Sequence, residues 1–115
     1  MKERVRTQYA SGKFYEKLAG WYLFFKGYKV LARRYKTYVG EIDLLVCKGK
    51  TLAAVEVKSR KKINDSYYAL TSFQKRRIHR TLIIAHRQFP QFTQLRCDTV
   101  LISPYKWPIH ITNAF

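Results

Sequence analysis

Two short apolar segments on either side of a glycine constrain the fold more than any other part of the chain. Residues 41–47 and 51–58 carry apolar side chains at every second position, and Lys48-Gly49-Lys50 lies between them. A period of two is typical of a β-strand. Glycine at the first central position suits a two-residue type II′ turn. The sequence therefore predicts a β-hairpin that turns at Gly49 and Lys50.

This turn fixes which residues of the two strands face each other. One face of the hairpin then carries only apolar side chains, namely Ile42, Leu44, Val46, Ala53, Val55 and Val57. On the other face, Asp43 lies opposite Glu56, and Glu41 lies opposite Lys58. A slip of one residue would scramble both faces, so the clean apolar face supports this register.

The predicted register brings two carboxylates together. Residues that face each other across antiparallel strands have Cβ atoms ~5 Å apart, and like charges at that distance repel unless something compensates. A divalent cation would do so. Mg²⁺ prefers oxygen ligands, takes one or two carboxylates and keeps waters that a phosphate can displace. Asp43 and Glu56 are therefore the predicted metal ligands, with Mg²⁺ as the cofactor and Mn²⁺ as a substitute.

Lys58 completes a pattern suited to phosphodiester hydrolysis. Glu56 and Lys58 are two residues apart on one strand, so both side chains point to the same side. A lysine there would hold the attacking water or stabilise the charge of the transition state. The alternative is an ordinary salt bridge at the strand end, such as Glu41 with Lys58, in a pattern that arises by chance.

The charge of the chain points to a polyanionic partner. Twenty-three Lys and Arg residues against seven Asp and Glu residues give a net charge of +16. Such an excess attracts nucleic acid, although ribosome-associated proteins and lipid-surface binders share it. The predicted phosphate contacts flank the acid pair in sequence or lie on the second helix: Arg33, Arg34, Lys36, Arg60, Lys61, Lys62, Lys75, Arg76, Arg77 and Arg80.

The remaining composition excludes several classes of protein. Hydrophobic residues make up 47% of the chain, which favours a packed globule over disorder. No apolar run approaches the ~20 residues of a membrane helix, and the N-terminus lacks the core of a secretory signal. The expected location is the cytoplasm, without membrane association. Cys47 and Cys97 form no CxxC pair, so no zinc site is predicted.

Periodicity and end signals predict the other elements. A helix from about Ser11 to Lys26 follows from Phe14, Leu18, Trp21, Tyr22 and Phe25 at helical spacing, with Gly27 as its stop. The next segment, Tyr28 to Tyr35, is predicted as a strand with Val30 and Ala32 on one side.

A second helix is predicted from a Thr71-x-x-Gln74 capping box to about Phe89, where Pro90 ends it. Two strands follow, Arg96 to Ser103 and Trp107 to Ile111. Asp98 shares a strand face with Arg96, and an internal ion pair is expected there. This order predicts one α/β domain over residues 1–115, with a single mixed sheet flanked by helices.

Several of these segments together resemble the YraN-like family of small bacterial proteins. The matching pieces are Gly12 with Glu16, KGYKVLAR at 26–33, GEIDLL at 40–45, VEVKSR at 55–60, CDTVLI at 97–102 and the final NAF. The resemblance covers nearly the whole chain. It implies a restriction-endonuclease-like fold related to archaeal Holliday-junction resolvases.

The resemblance also implies a function. The site would be a D…ExK nuclease centre of Asp43, Glu56 and Lys58, with Glu16 reaching in from the first helix. The expected reaction is endonucleolytic cleavage of branched or otherwise structured DNA, with a homodimer suited to symmetric substrates. The competing interpretations are a non-catalytic nucleic-acid-binding protein on the same scaffold and an adaptor for a protein partner.

Overall fold

The computed structural model describes the backbone of residues 2–59 and 70–115, and the side chains of residues 13–59 and 70–115. In chain order the elements are α1 (Lys2–Phe25), β1 (Lys29–Thr37), β2 (Gly40–Lys48), β3 (Thr51–Ser59), α2 (Ser72–Gln88), β4 (Gln94–Ile102) and β5 (Ile109–Ile111). The fold is α/β with one mixed five-stranded sheet and two helices, which confirms the predicted class and is compatible with a restriction-endonuclease-like fold. Within the described residues, no helix is long and apolar enough to cross a bilayer.

The strands lie in the sheet in the order in which they occur in the chain. β1, β2 and β3 pair antiparallel, β3 pairs parallel with β4, and β5 pairs antiparallel with β4. Parallel neighbours need a long crossover, and α2 supplies it between β3 and β4. Each face of the sheet is thereby covered by one helix.

The predicted hairpin is confirmed by its register. Five pairs run from Lys48 with Thr51 to Leu44 with Val55. Gly49 has φ 58°, whereas Lys50 is not among the residues with positive φ. A positive φ at the first central position alone is what a type II′ turn requires.

The sheet separates two hydrophobic cores. The core under α1 contains Ala19 and Leu23 with sheet residues that include Leu44, Val46, Ala53 and Val55. The core under α2 contains Ile78, Leu82 and Ala85 with sheet residues that include Leu45, Leu52 and Ala54. The hairpin is therefore buried on both faces.

The prediction that Ile42 shares a face with Leu44 is wrong. Ile42 packs in the core under α2, whereas Leu44 packs under α1. The change of side coincides with a gap in the pairing of β1 with β2, in which Arg33 pairs with Leu44 and Tyr35 pairs with Ile42, but Arg34 and Asp43 form no registered pair. Arg34 has φ 52°, a left-handed conformation that interrupts the alternation of the strand.

A second irregularity corrects the prediction for β1. A shift in register between Val30 and Ala32 places Val30 against the core under α1 and Ala32 against the core under α2. An extra residue in one strand reverses the side to which later residues point. Val30 and Ala32 therefore do not share a side.

Helix α1 differs from the prediction at its start and in its packing. It begins at Lys2 rather than Ser11, because the residues before Ser11 contain neither glycine nor proline and favour a helix. It ends as predicted, with Gly27 at φ 92°. Of its five periodic residues, Tyr22 packs toward the sheet together with Tyr15, Ala19 and Leu23, whereas Phe14, Leu18, Trp21 and Phe25 are exposed.

Helix α2 follows its prediction closely. Thr71 is the N-cap, and both hydrogen bonds of the capping box with Gln74 are present. Ile78, Leu82 and Ala85 are buried. The start of β2 lies against this helix, since a Cβ atom on Gly40 would stand 2.9 Å from the Oγ1 atom of Thr81. Only glycine permits so close an approach.

Candidate active site

The candidate site lies where β2 and β3 diverge, at the end of the hairpin away from the turn. The registered pairs stop at Leu44 and Val55. Beyond them, the backbone N–H of Val57 donates a 2.9 Å hydrogen bond to Oδ2 of Asp43. The Asp43 side chain thus takes a backbone donor of β3 that points toward β2, and this contact holds the carboxyl group next to Glu56.

Asp43 and Glu56 meet, as the sequence predicts. The carboxyl groups are close enough for each to shift the pKa of the other. Burial, followed by the charge of Asp43, raises the pKa of Glu56 to about 8. Burial also raises the pKa of Asp43, and the hydrogen bond from Val57 opposes that rise. Two acids in this state share a proton near neutral pH, because both cannot ionise cheaply side by side.

Lys58 is placed beside this pair. Its Nζ atom lies 3.8 Å from Oε2 of Glu56, and both side chains are mostly buried. The expected alternative, an ion pair between Glu41 and Lys58, is replaced by this contact with Glu56. Lys58 is therefore positioned at the carboxyl pair and not at the outer end of the strands.

Glu16 on α1 lies near enough to act electrostatically on the acid pair, and it is ion-paired with Arg34. Its charge is among the causes that raise the pKa of both Asp43 and Glu56. Its Oε2 atom accepts a 2.9 Å hydrogen bond from Nε of Arg34. Arg34, predicted as a phosphate contact, is thus ion-paired with an acid of the site.

The left-handed conformation of Arg34 strains the backbone, and a matched pair of variants should reveal this strain. Arg34→Ala and Arg34→Gly both remove the guanidinium, but only glycine adopts a left-handed conformation without steric cost. We expect the Gly variant to be more stable than the Ala variant by about 1 kcal/mol in urea unfolding. Equal stability, or a more stable Ala variant, would contradict the left-handed conformation at this residue.

The other side of the acid pair is lined by α2. A cavity of about 240 Å³ lies among Glu41, Glu56, Leu70, Gln74, Arg77 and Ile78. Gln74 is held by the capping box, and Nε of Arg77 donates a 3.0 Å hydrogen bond to the carbonyl of Val39. The sequence predicted Arg77 as a phosphate contact, but not that it forms part of the wall of this cavity. The capping box was the available signal, because it places the first turn of α2.

The remaining predicted phosphate contacts are on the surface. Arg33, Lys36, Lys75, Arg76 and Arg80 are exposed, as is Arg77. Arg60, Lys61 and Lys62 lie outside the described residues. Exposed lysines and arginines attract phosphates without reading sequence.

The donor set at the acid pair suits a hard cation. Across residues 13–59 and 70–115, no cluster of three or more His, Cys, Asp and Glu side chains could hold a metal ion. Mg²⁺, however, binds through one or two carboxylates plus water and substrate oxygens. Two adjoining carboxyl groups that share a proton fit this requirement, since a cation can replace the proton.

Asp98 belongs to a separate network. It is fully buried and accepts hydrogen bonds from Nε and Nη2 of Arg96, from Nε2 of His110 and from the backbone of Asn113. Burial alone would raise the pKa of Asp98, but these hydrogen bonds hold it below its usual value. The predicted internal ion pair with Arg96 is confirmed.

Comparisons with known proteins agree with the resemblance seen in the motifs. The model of a family described as "Uncharacterised protein family UPF0102" matches residues 15–102 of this chain. A UPF0102 protein of Methylorubrum populi is 39% identical, with 97% of this chain and 91% of that protein covered. UPF0102 proteins of Rhodopseudomonas palustris and Parvibaculum lavamentivorans are 42% and 44% identical, over 98% and 93% of this chain and 84% and 82% of theirs. The chain therefore belongs to the UPF0102 family, the YraN-like family that its motifs predict.

Proposed function

We propose that the protein is a Mg²⁺-dependent endonuclease that hydrolyses phosphodiester bonds of DNA, with branched or structured DNA as its substrate. The observation that carries the proposal is the meeting of Asp43 and Glu56, with Lys58 beside them, where β2 and β3 part. Mn²⁺ would substitute for Mg²⁺ because it takes the same oxygen ligands.

The burial of these acids favours a binding role over a purely structural one. Glu56 is only 9% exposed, and its neighbours Asp43 and Glu16 are also acids. Such a cluster destabilises the free protein unless a cation or a proton neutralises it. The acid cluster lies beside Lys58 and among basic surface residues, as expected if the ligand is a cation together with a phosphate.

Each side chain then has a defined task. Asp43 and Glu56 would hold the cation, which supplies an acidic water and withdraws charge from the phosphoryl oxygens. Lys58 would donate to the attacking water or to a phosphoryl oxygen as negative charge develops there. Glu16 would add negative charge from the α1 side, with Arg34 fixing its carboxylate.

The basic surface would orient the substrate. Arg33, Lys36 and the α2 residues Lys75, Arg76, Arg77 and Arg80 would contact the sugar-phosphate backbone, as would Arg60, Lys61 and Lys62. Affinity should therefore fall steeply as salt rises, whatever the sequence of the DNA.

The proposal is tested by cleavage assays on four-way junctions, flaps, duplex, single strands and RNA, with Mg²⁺, Mn²⁺ or EDTA. The unaltered chain should cut at least one DNA form in Mg²⁺ or Mn²⁺ and none in EDTA. Asp43→Asn or Glu56→Gln should slow cleavage on the order of 10³-fold, because a cation is worth several kcal/mol to this transition state. Both variants should still bind the DNA.

Lys58→Met and Lys50→Met form a matched pair for the role of the lysine. Both remove one positive charge from β3 or its turn, but Lys50 is exposed at the hairpin turn, remote from the acids. Only Lys58→Met should slow cleavage. Binding without cleavage of every substrate by the unaltered chain would instead establish a non-catalytic nucleic-acid-binding protein, and absence of binding at low salt would favour an adaptor for a protein partner.

A further inference from the structure

Helix α1 presents an apolar stripe to the outside. Phe14, Leu18, Trp21 and Phe25 follow the spacing of one helix face, which points away from the sheet. Trp21 is 56% exposed and Phe25 is 77% exposed, with their rings stacked 6.2 Å apart. An apolar helix face normally packs against another part of the protein or against another molecule.

The segment between β4 and β5 extends this stripe. Trp107 is 85% exposed, and Tyr105 is fully exposed. A groove of about 790 Å³ separates this segment from α1, with Phe14, Trp21, Phe25 and Trp107 among its lining residues. We call the six side chains Phe14, Leu18, Trp21, Phe25, Tyr105 and Trp107 the aromatic face.

The charge of the groove distinguishes between classes of partner. Its lining includes two lysines, Lys26 and Lys106, and no acid. Basic residues line a different depression, where Lys13, Lys17 and Arg33 lie with Glu16. A nucleic-acid strand would follow the basic depression. The aromatic face therefore suits an apolar protein surface.

The size of the aromatic face matches one side of a stable dimer. An aromatic side chain offers about 150 to 250 Å², so these residues together expose roughly 800 Å² of mainly apolar surface. Monomers rarely expose a patch above about 600 Å², and a standard interface buries about 800 Å² on each partner. Tryptophan, phenylalanine and tyrosine are also the residues enriched in interface cores.

We propose that the aromatic face is the interface of a symmetric homodimer, occupied by a second copy of this chain. Trp21 and Phe25 line the α1 side of the groove, so a two-fold axis can bring these rings of each copy against the groove of the other. This interface does not depend on nuclease activity.

Salt gives this dimer a signature opposite to that of nucleic-acid binding. Two chains of charge +16 repel each other, while the contact itself is apolar. Added salt screens the repulsion and leaves the hydrophobic contact in place. The dimer should therefore tighten as salt increases.

Sedimentation velocity of the full chain at up to about 100 μM, in about 0.1 M and about 0.5 M NaCl, tests the proposal. The expected species has twice the 13.7 kDa of one chain and is more populated at the higher salt. Trp21→Lys and Phe25→Lys should each weaken the dimer at least ~30-fold, the effect of losing a hot-spot residue. Ile83→Lys, at a comparably exposed apolar residue of α2, should leave it unchanged.

Three results would overturn the proposal: a monomer in both salts, a dimer that Trp21→Lys and Phe25→Lys leave intact, or a dimer that salt weakens. A chain that stays monomeric but binds anionic vesicles through Trp21 would also overturn it and assign the face to a lipid surface. Circular dichroism measures whether both lysine variants still fold. We expect both to fold because Trp21 and Phe25 are largely exposed, so that a loss of dimer is not a loss of fold.

Discussion

Raising the pH from about 5 to about 9 without divalent cations should lower the free energy of unfolding by on the order of 4 kcal/mol through the pair of Glu56 and Asp43. The pKa of Glu56 is about 8 in the folded protein, against an ordinary value of 4.5. Between these values the folded state binds a proton that the unfolded state has released, so stability falls as the pH rises. The contribution is complete below the ordinary pKa and lost above pH 8. The raised pKa of Asp43 acts in the same direction.

Glu56→Gln should remove most of this slope, because the amide is neutral at every pH in the range. Urea unfolding at several pH values measures the effect as the difference between the two chains. Glu41→Gln is the matched control, since it removes an exposed carboxyl group from the adjacent strand. A variant profile as steep as that of the unaltered chain would show that Glu56 ionises normally.

Mg²⁺ or Mn²⁺ should reverse the loss in the unaltered chain. A cation that replaces the shared proton stabilises the folded state at high pH, by RT ln(1 + [L]/Kd). It should add little to Asp43→Asn or Glu56→Gln. Stability that does not respond to either cation at high pH would contradict metal binding at these residues, independently of any cleavage assay.

Asp98→Asn should cost about 3 to 5 kcal/mol of stability, the typical effect of breaking a buried ion pair. The carboxylate is fully buried and receives donors from Arg96, His110 and the backbone of Asn113. An amide of the same shape accepts through one oxygen and turns its N–H₂ group toward these donors. The loss should also release β5, which has three residues and adjoins Asn113.

The pH dependence of this effect has the opposite sign to that of Glu56. The pKa of Asp98 is lowered, so its contribution is present above the ordinary value of 3.8 and disappears as the pH falls through the folded pKa. The stability difference between the two chains should therefore shrink below about pH 4. A difference that persists unchanged in acid would show that packing, and not the charge of Asp98, accounts for the loss.

The hairpin and α2 could be predicted from the sequence because their signals are local. Glycine at position 49 fixes the turn, and the turn fixes the register of the five pairs between β2 and β3. The capping box of Thr71 and Gln74 fixes the start of α2. The same register predicted that Asp43 and Glu56 meet, but they lie beyond its last pair, where the hydrogen bond from Val57 holds Asp43 in place.

Apart from the start of α1, the wrong predictions concern which face of an element is buried. Ile42 and Ala32 lie on unexpected sides because a left-handed residue at Arg34 and a shift after Val30 interrupt the alternation of β1 and β2. Neither irregularity has a local signal, since arginine rarely adopts a positive φ. Arg34 in addition pairs with Glu16 on α1, a partner from a distant part of the chain.

The sequence by itself determined where the strands and α2 lie, the register of the hairpin and the identity of the acid pair, because periodicity and turn chemistry act over a few residues. Tertiary structure decided which side of each element is buried. It paired Glu16 with Arg34, placed Arg77 in the cavity wall beside Glu56 and left the aromatic stripe of α1 outside the core. Periodicity shows that a helix has an apolar face, but whether the sheet, a second chain or solvent covers that face depends on packing between residues far apart in sequence.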